Sequence, residues 1–112
     1  MRLVPAGLVT ALALTCVAST ASAQGADGQL FTPEQVEKGA SLFAQSCAAC
    51  HGVRMAEAAQ GVVDLKKFPP DQKSRFVNSV SKGRNQMPPW GDVLDAGDID
   101  ALWAYVIAGE RR

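Results

Sequence analysis

Two cysteines and a histidine lie within five residues, in the order Cys47-Ala48-Ala49-Cys50-His51. Thiols three positions apart on a helical turn lie on one face, so both can reach the same planar molecule. The histidine directly after the second thiol can place its imidazole under that plane. The C-x-x-C-H spacing is the pattern of covalent haem attachment, in which Cys47 and Cys50 bind the haem and His51 is the proximal iron ligand.

Two other interpretations of this motif fit less well. A thioredoxin-like redox pair would require alternating strands and helices, which the sequence does not predict. A zinc site requires about four ligands, whereas the chain after residue 23 contains two cysteines and one histidine. Haem attachment requires two cysteines, one histidine and export from the cytoplasm. The motif therefore favours one covalent haem c with its iron.

Residues 1–23 have the three parts of a secretory signal peptide. Met1-Arg2 is a positive start, residues 3–17 are mostly apolar, and Ala21-Ser22-Ala23 is an A-x-A cleavage site. An uncleaved anchor is the alternative, but the apolar run is short of the about 20 residues that span a membrane. Cys16 raises a lipoprotein alternative, which the preceding threonine disfavours. We predict a periplasmic protein with no stable membrane insertion after cleavage.

The charge balance argues against nucleic acid as a partner. The chain has 11 basic and 11 acidic side chains, so loss of Arg2 with the leader leaves 10 and 11. The distribution is uneven, because residues 54–84 hold seven basic and three acidic side chains, and residues 92–110 hold five acidic and no basic ones. This asymmetry indicates either ordinary solvated faces or a dipole that orients a redox partner.

The pattern of apolar residues predicts helices and no convincing strand. Helical spacing and the Thr32-Pro33 start predict a first helix over Pro33–Ser46. A second helix is expected over Pro70–Lys82, and a third from the Asp95 cap to Gly109. Residues 53–64 are expected to be a loop, with one helical turn near 56–60. We predict an all-α domain over residues 32–112, preceded by a flexible lead-in over residues 24–31.

The second axial ligand can be sought among the methionines, because His51 is the only histidine. Met55 is four residues after His51 and is expected on the same side of the haem. Met87 is far enough along the chain to reach the opposite side, and Pro88-Pro89 stiffen its backbone. The alternative for Met87 is a buried methionine that fills a gap in the core.

This arrangement resembles the class I c-type cytochromes of bacteria. The resemblance is carried by Cys47–His51 and Met87, and by two pairs at the spacing of the family's first and last helices, Gly39 with Phe43 and Leu102 with Tyr105. It implies the cytochrome c fold, with three main helices and short turns wrapped around one covalently bound haem. It also implies that the first helix crosses the last at Gly39, a residue that costs about 1 kcal/mol in a helix relative to alanine.

The segment over residues 83–91 is also similar to small periplasmic cytochromes, some of which serve quinoprotein alcohol dehydrogenases. Within it, Arg84 and Trp90 could donate hydrogen bonds to the haem propionates. The alternatives are a solvated arginine and a packing tryptophan. The chain departs from many relatives in having no proline between His51 and Pro69, so no proline carbonyl is present to hold the imidazole N–H.

These observations predict a monomeric single-electron carrier and not an enzyme. Its partners would be redox proteins, with a dehydrogenase as donor and an oxidase or another cytochrome as acceptor. One alternative is a haem-binding subunit of a larger oxidoreductase. Another is a gas-binding or sensor haem protein, which would require Met87 to be absent from the iron.

Overall fold

The computed structural model describes residues 2–3, 6–8, 11, 13 and 30–110. Most of the predicted signal peptide and most of the predicted lead-in lie outside these residues. Phe31, the last residue assigned to the lead-in, is buried and packs in the hydrophobic core. The packed part of the chain thus begins one residue before position 32.

The described domain is all-α, as predicted. Four α-helices occur in the order α1 (Pro33–Ser46), α2 (Ala48–His51), α3 (Lys73–Lys82) and α4 (Ala96–Ala104). Short 3₁₀ turns cover Val53–Met55 and Leu65–Lys67, and a π-helical turn over Tyr105–Gly109 continues α4. Residues 30–110 contain no β-strand, although Arg84 and Met87 form an isolated bridge.

Helix α1 has the predicted bounds, because its start is specified locally. The Thr32 hydroxyl accepts a hydrogen bond of 3.1 Å from the Gln35 backbone N–H, and Pro33 occupies the first turn, where its missing N–H costs nothing. Phe43 and Gly39 lie on the buried face of this helix. The helix therefore begins and faces the core for reasons visible in its own sequence.

Helices α1 and α4 cross at Gly39, as the resemblance implied. A Cβ atom on Gly39 would clash with the Ala101 carbonyl and lie 2.8 Å from Cβ of Tyr105. The rings of Phe43 and Tyr105 pack nearby, with centroids 5.2 Å apart. The absence of a side chain at Gly39 allows the two backbones to meet, and this contact sets the position of the haem motif at the end of α1.

Helix α3 begins at Lys73, and the prediction that it begins at Pro70 is wrong. The Gln72 backbone N–H donates to the Pro69 carbonyl at 3.1 Å, which closes a turn before the helix. A residue followed by proline is driven out of the helical region, and the consecutive prolines Pro69 and Pro70 prolong this effect. The turn brings Phe68 against Phe76 and Trp103 in an aromatic cluster.

The segment after the haem motif forms its helical turn at Val53–Met55, so the prediction of a turn near residues 56–60 is wrong. The Met55 N–H donates to the Gly52 carbonyl at 3.0 Å. Arg54 and Met55 both have positive φ angles, of 55° and 58°. Met55 is only 1% exposed, which indicates that its burial fixes this backbone against local preference.

Helix α4 starts with a reciprocal capping box. The Asp95 carboxylate accepts from the Asp98 N–H at 2.8 Å, and Asp98 accepts from the Asp95 N–H at 3.1 Å. The helix is apolar on most sides, and Ala101 to Ile107 are all buried. None of the helices in the described part of the chain is long and apolar enough to cross a membrane.

Candidate haem site

One cavity of about 630 Å³ opens between α1, α3, α4 and the two connecting loops. Its volume falls in the range of about 300–1,000 Å³ of pockets that enclose small molecules and cofactors. All six site residues predicted from the sequence line it: Cys47, Cys50, His51, Arg84, Met87 and Trp90. Leu65, a residue of the second 3₁₀ turn, also lines it. The structure therefore gathers residues that are up to 43 positions apart in the sequence.

The cysteine–histidine motif lies where α1 ends and α2 begins. The Cys47 backbone N–H donates to the Phe43 carbonyl at 2.8 Å, and the His51 N–H donates to the Cys47 carbonyl at 2.9 Å. These hydrogen bonds keep both thiols and the imidazole on one helical turn of the backbone. Neither thiol forms a disulfide. Burial raises the pKa of the Cys47 thiol to about 11, whereas Cys50 lies exposed at the cavity rim.

His51 is half-buried, and its ring lies 6.5 Å from the ring of Phe43. Burial lowers the pKa of His51, and a hydrogen-bonding interaction with the Val63 backbone opposes that shift. The Nδ1 atom is buried and has no hydrogen bond of ordinary geometry. Because only an acceptor favours the protonated ring, the Val63 carbonyl is a candidate to hold this imidazole in place of a proline carbonyl.

Met87 is held in a short turn directly after α3. The Met87 N–H donates to the Arg84 carbonyl at 2.9 Å, and the Arg84 N–H donates to the Met87 carbonyl at 3.1 Å. Gly83 has φ of 74°, and a Cβ there would lie 2.9 Å from the Pro89 nitrogen. The Trp90 N–H then donates to the Val80 carbonyl at 2.8 Å, so the turn is fixed to α3 on both sides.

The two methionines lie in different surroundings. Met87 is half-buried and lines the cavity, whereas Met55 is 1% exposed and does not line it. Of the two, Met87 alone is in a position to face a planar group held by Cys47 and Cys50.

The charged residues that line the cavity are Arg75 and Arg84, with no carboxylate among the described lining residues. The remainder is largely apolar or uncharged, and Phe43, Phe68 and Leu102 are among the buried side chains that line it. An apolar cavity with two cations, two thiols, an imidazole and a thioether fits a flat apolar molecule that contains iron and carries carboxylates. Haem has these properties, and the residues present fit it.

No cluster of three or more His, Cys, Asp and Glu side chains that could hold a bare metal ion occurs in the described part of the chain. The all-helical fold and the contents of this cavity are those of a small protein that attaches haem covalently. Residues 34–106 match the family described as cytochrome c oxidase, cbb3-type, subunit III. The chain belongs to the class I c-type cytochromes.

The chain is similar to cytochrome c6 of Microcystis aeruginosa, with 40% identity over 78 residues, which cover 66% of this chain and 96% of that protein. It is 32% identical over 90 residues to the cbb3-type cytochrome c oxidase subunit CcoP of Azospirillum sp. (strain B510), covering 71% of this chain and 30% of that subunit. It is also 31% identical over 75 residues to the quinohemoprotein alcohol dehydrogenase ADH-IIG of Pseudomonas putida, covering 64% of this chain and 10% of that enzyme.

These relatives identify the chain as a small c-type cytochrome that carries electrons and is not an enzyme, with covalently bound haem c and its iron. They also connect it with proteins that work with redox partners, because related domains occur in oxidase and dehydrogenase chains. In those two chains the match covers under a third of the length.

Two residues to which the structure gives a candidate role at the site, Val63 and Arg75, were not predicted from the sequence. Val63 would act through its backbone carbonyl, a group that every residue has, so its residue type gave no signal. Arg75 lies in a helix whose polar face predicts a solvated arginine. The sequence offered no signal for its role, because in a helix predicted from Pro70 this arginine lies beyond the first turn.

Proposed function

We propose that this protein is a periplasmic single-electron carrier whose haem is attached through Cys47 and Cys50, with His51 and Met87 as axial ligands. One observation carries the proposal: these four side chains line the same cavity, and Met87 reaches it from a separate loop. Their types match the ligand set of high-potential c-type haem, which uses histidine on one side and methionine on the other.

Bound haem supplies a one-electron couple between ferric and ferrous iron. As a ligand, the thioether of Met87 would favour the ferrous form and so raise the reduction potential. With His51 and Met87 both holding the iron, no position would remain for a substrate. The Val63 carbonyl is the proposed acceptor for His51, and a hydrogen bond from the imidazole N–H would orient the ring and strengthen it as a ligand.

We further propose that Arg84 and Trp90 donate hydrogen bonds to the haem propionates. Both line the cavity, and neither is fully buried, so their donors can reach its rim. Electrons would pass where the rim is exposed, near Cys50 and the 53% exposed Val63. A small, transient interface of less than about 1,200 Å² suits such redox encounters. The proposed donor is a dehydrogenase, and the proposed acceptor is an oxidase or another cytochrome.

The proposed localisation depends on residues 1–23 acting as a cleaved signal peptide, with residues 32–112 as the cytochrome domain. Three sequence features support it: the positive start, the apolar run and the Ala21-Ser22-Ala23 site. Intact mass of the haem protein from a periplasmic fraction tests it. A mature chain that begins at Gln24 is expected, and a retained leader would contradict the proposal.

Replacement of Met87 by leucine tests the axial ligand. The oxidised wild-type protein should show the weak long-wavelength absorption of methionine bound to ferric haem, and Met87→Leu should abolish it. Met55→Leu is the matched control, because it removes the other methionine of the predicted mature chain and conserves core volume. That variant should keep the band.

An unchanged band in Met87→Leu, or a band lost in Met55→Leu alone, would contradict Met87 as a ligand. Carbon monoxide binding by the reduced protein gives a second measure. The wild type should bind it poorly and Met87→Leu readily. Rapid, tight binding by the wild type would instead favour a gas-binding function.

A second candidate function is a haem-binding subunit of a larger oxidoreductase. The observation that favours it is the match with the cbb3-type oxidase subunit family and with CcoP. Native size measurement of the protein purified from its source under mild conditions distinguishes the two. A free carrier elutes as a monomer, whereas a subunit elutes with a stoichiometric oxidoreductase.

A further inference from the structure

The loop after the haem motif begins with a turn that its own residues disfavour. Arg54 and Met55 are consecutive and both have positive φ angles, of 55° and 58°, a region that side chains with a Cβ rarely adopt. Such conformations persist only where the surrounding structure holds them in place. Burial holds Met55, which is 1% exposed. The side chain of Arg54 is 70% exposed, so its contacts and not its burial must hold it.

The guanidinium of Arg54 is held by Glu110 in a two-pronged contact. Nε donates to Oε1 at 3.2 Å, and Nη2 donates to Oε2 at 3.1 Å, the paired geometry that makes arginine–carboxylate contacts specific. The Tyr105 hydroxyl donates to the same Oε1 at 3.0 Å. Tyr105 is buried, and the side chain of Glu110 is only 15% exposed. These three residues, Arg54, Tyr105 and Glu110, form what we call the Glu110 clamp.

The π-helical turn over Tyr105–Gly109 brings Tyr105 and Glu110 together. Residues five positions apart point about 140° away from each other on an α-helix of 3.6 residues per turn, whereas a π-helix pairs residues i and i+5. Gly109 leaves space for this widened turn, because a Cβ there would clash with the Tyr105 ring. The turn therefore allows a contact that an unbroken α-helix would not make.

The clamp holds one end of a loop that lines the haem cavity. Residues 60–63 of this loop are among the lining residues. The middle of the loop is joined to the haem motif by a hydrogen bond of 2.8 Å from the Ala59 N–H to the Cys50 carbonyl. The Val63 backbone interacts with the imidazole of His51, whose buried Nδ1 has no hydrogen bond of ordinary geometry. The position of this loop therefore decides how well that carbonyl can accept the imidazole proton.

Glu110 also attracts the far end of the same loop. Arg54 is the main cause of the lowered pKa of Glu110, and the positive charge of Lys66 adds to it. Lys66 lies three residues after Val63, in the 3₁₀ turn over Leu65–Lys67. Positive groups from both ends of the loop are thus directed at one carboxylate, with Val63 between them in the sequence.

We propose that the Glu110 clamp positions the proximal ligand, because it holds the Val63 carbonyl at the imidazole N–H of His51. Arg54 is the positioning residue, since it alone of the clamp belongs to the loop. This inference rests on the proposed function, in which His51 binds the iron. A ligating histidine needs a fixed acceptor on its other nitrogen, and a carbonyl in a loop is fixed only when the loop is. Loss of the clamp therefore exposes the imidazole proton to exchange with solvent.

The experiment compares Arg54→Asn with Lys38→Gln in the full haem protein. Asparagine tolerates a positive φ angle, so Arg54→Asn removes the clamp contact and leaves the turn accessible. Lys38→Gln is the matched control, because it gives the same change in net charge and breaks the 2.9 Å ion pair with Asp98, which joins α1 to α4 and not to the loop. Nuclear magnetic resonance of the reduced protein measures hydrogen exchange at the His51 Nδ1 proton and at backbone amides.

We expect Arg54→Asn to accelerate exchange of the His51 Nδ1 proton and of the Ala59 amide severalfold, and to leave amides in the middle of α3 unchanged. Lys38→Gln should accelerate neither the Nδ1 proton nor the Ala59 amide. Arg54→Lys should give an intermediate rate, since lysine keeps the charge and loses the planar fork.

Unchanged exchange of the His51 Nδ1 proton in Arg54→Asn would overturn the inference. Equal acceleration in the loop and in α3 would also overturn it, because that pattern is a general loss of stability. The same holds for equal acceleration in Arg54→Asn and Lys38→Gln. Haem staining on a denaturing gel and the long-wavelength band in the same samples report on the proposed function separately, so the two failures are distinguishable.

Discussion

Three side chains that do not line the cavity join the end of the π-helical turn to the loop after the haem motif. Arg54 donates from Nε to Oε1 of Glu110 at 3.2 Å and from Nη2 to Oε2 at 3.1 Å. The Tyr105 hydroxyl donates to the same Oε1 at 3.0 Å. Burial, and then the carboxylate, raise the pKa of Tyr105 to about 12. Arg54, more than any other group, lowers the pKa of Glu110.

The lowered pKa of Glu110 predicts how the stability of this contact depends on pH. A carboxyl group whose folded pKa is below its ordinary value of 4.5 stabilises the protein when ionised. That stabilisation is fully present above pH 4.5 and is lost as the pH falls through the folded pKa. Glu110→Gln should therefore be less stable than the wild type at neutral pH, with a difference that shrinks below pH 4.5.

Urea unfolding of the haem protein at a series of pH values measures this difference. Asp92→Asn is the control, because Asp92 is exposed and forms no ion pair among the described residues. It should change stability little at any pH. A difference between Glu110→Gln and the wild type that stays constant from neutral to acidic pH would show that the Glu110 charge is not responsible.

At the scale of elements, the crossing of α1 and α4 positions the haem motif. The backbones meet at Gly39 and Ala101, and the motif follows eight residues after Gly39. Alanine in place of Gly39 would favour the isolated helix by about 1 kcal/mol. The clash with the Ala101 carbonyl acts in the opposite direction, because backbone cannot move aside as a flexible side chain can.

Overpacking of a tight contact costs about 1–3 kcal/mol, so we expect Gly39→Ala to lower the free energy of unfolding by about that much. Gly97→Ala is the matched control, since Gly97 is also in a helix and a Cβ there would meet only a side-chain oxygen of Asp95, at 3.3 Å. Guanidinium unfolding of both haem proteins provides the measurement. Equal stability changes in the two variants would contradict a close crossing at Gly39.

Across the whole molecule, ion pairs join the acidic segment over residues 92–110 to basic residues that lie earlier in the chain. Asp98 pairs with Lys38, Asp100 with Lys73 and Glu110 with Arg54, at 2.9, 2.9 and 3.1 Å. Three of the five acidic side chains in residues 92–110 are thus matched by cations from earlier segments. The charge asymmetry along the chain is therefore partly cancelled in the fold, which weakens the case for a steering dipole.

The central cavity predicts that the chain depends on haem for its fold. Without haem, a space of about 630 Å³ would be open to water, and apolar side chains such as Phe43, Phe68 and Leu102 would line it. A typical domain is stabilised by only about 5–15 kcal/mol, and a chain this small has little other apolar surface to bury in compensation. A chain without haem should therefore lose most of its helical structure.

Replacement of both motif cysteines, Cys47→Ser with Cys50→Ser, tests this dependence. Haem staining on a denaturing gel should disappear, and the far-ultraviolet circular dichroism of the purified chain should lose most of its helical signal. Cys16→Ser is the control, because Cys16 lies in the predicted leader, and it should keep haem and helicity. Haem that stays bound to the double variant after denaturation would rule out these thioethers.

Features that depend only on neighbouring residues could be predicted from the sequence alone. The haem motif needs only its own spacing, α1 begins where Thr32 and Pro33 dictate, and α4 begins at the Asp95 cap. Gly39 indicated a close crossing because a glycine inside a helix has a local cost that only a contact can offset. These signals lie within one or two helical turns, so no knowledge of the fold was required to interpret them.

The folded chain revealed the features that depend on residues distant in sequence. It placed the Val53–Met55 turn by burying Met55, started α3 only after the proline turn, and brought the Val63 carbonyl towards His51. It also placed Arg75 at the haem cavity, where its surroundings come from Phe68 and Gln72 and from the cavity itself. Every residue has a backbone carbonyl, so the sequence cannot show which carbonyl accepts a hydrogen bond. An arginine on the polar face of a helix gives the same sequence pattern whether it faces solvent or a cofactor. Only packing distinguishes these cases.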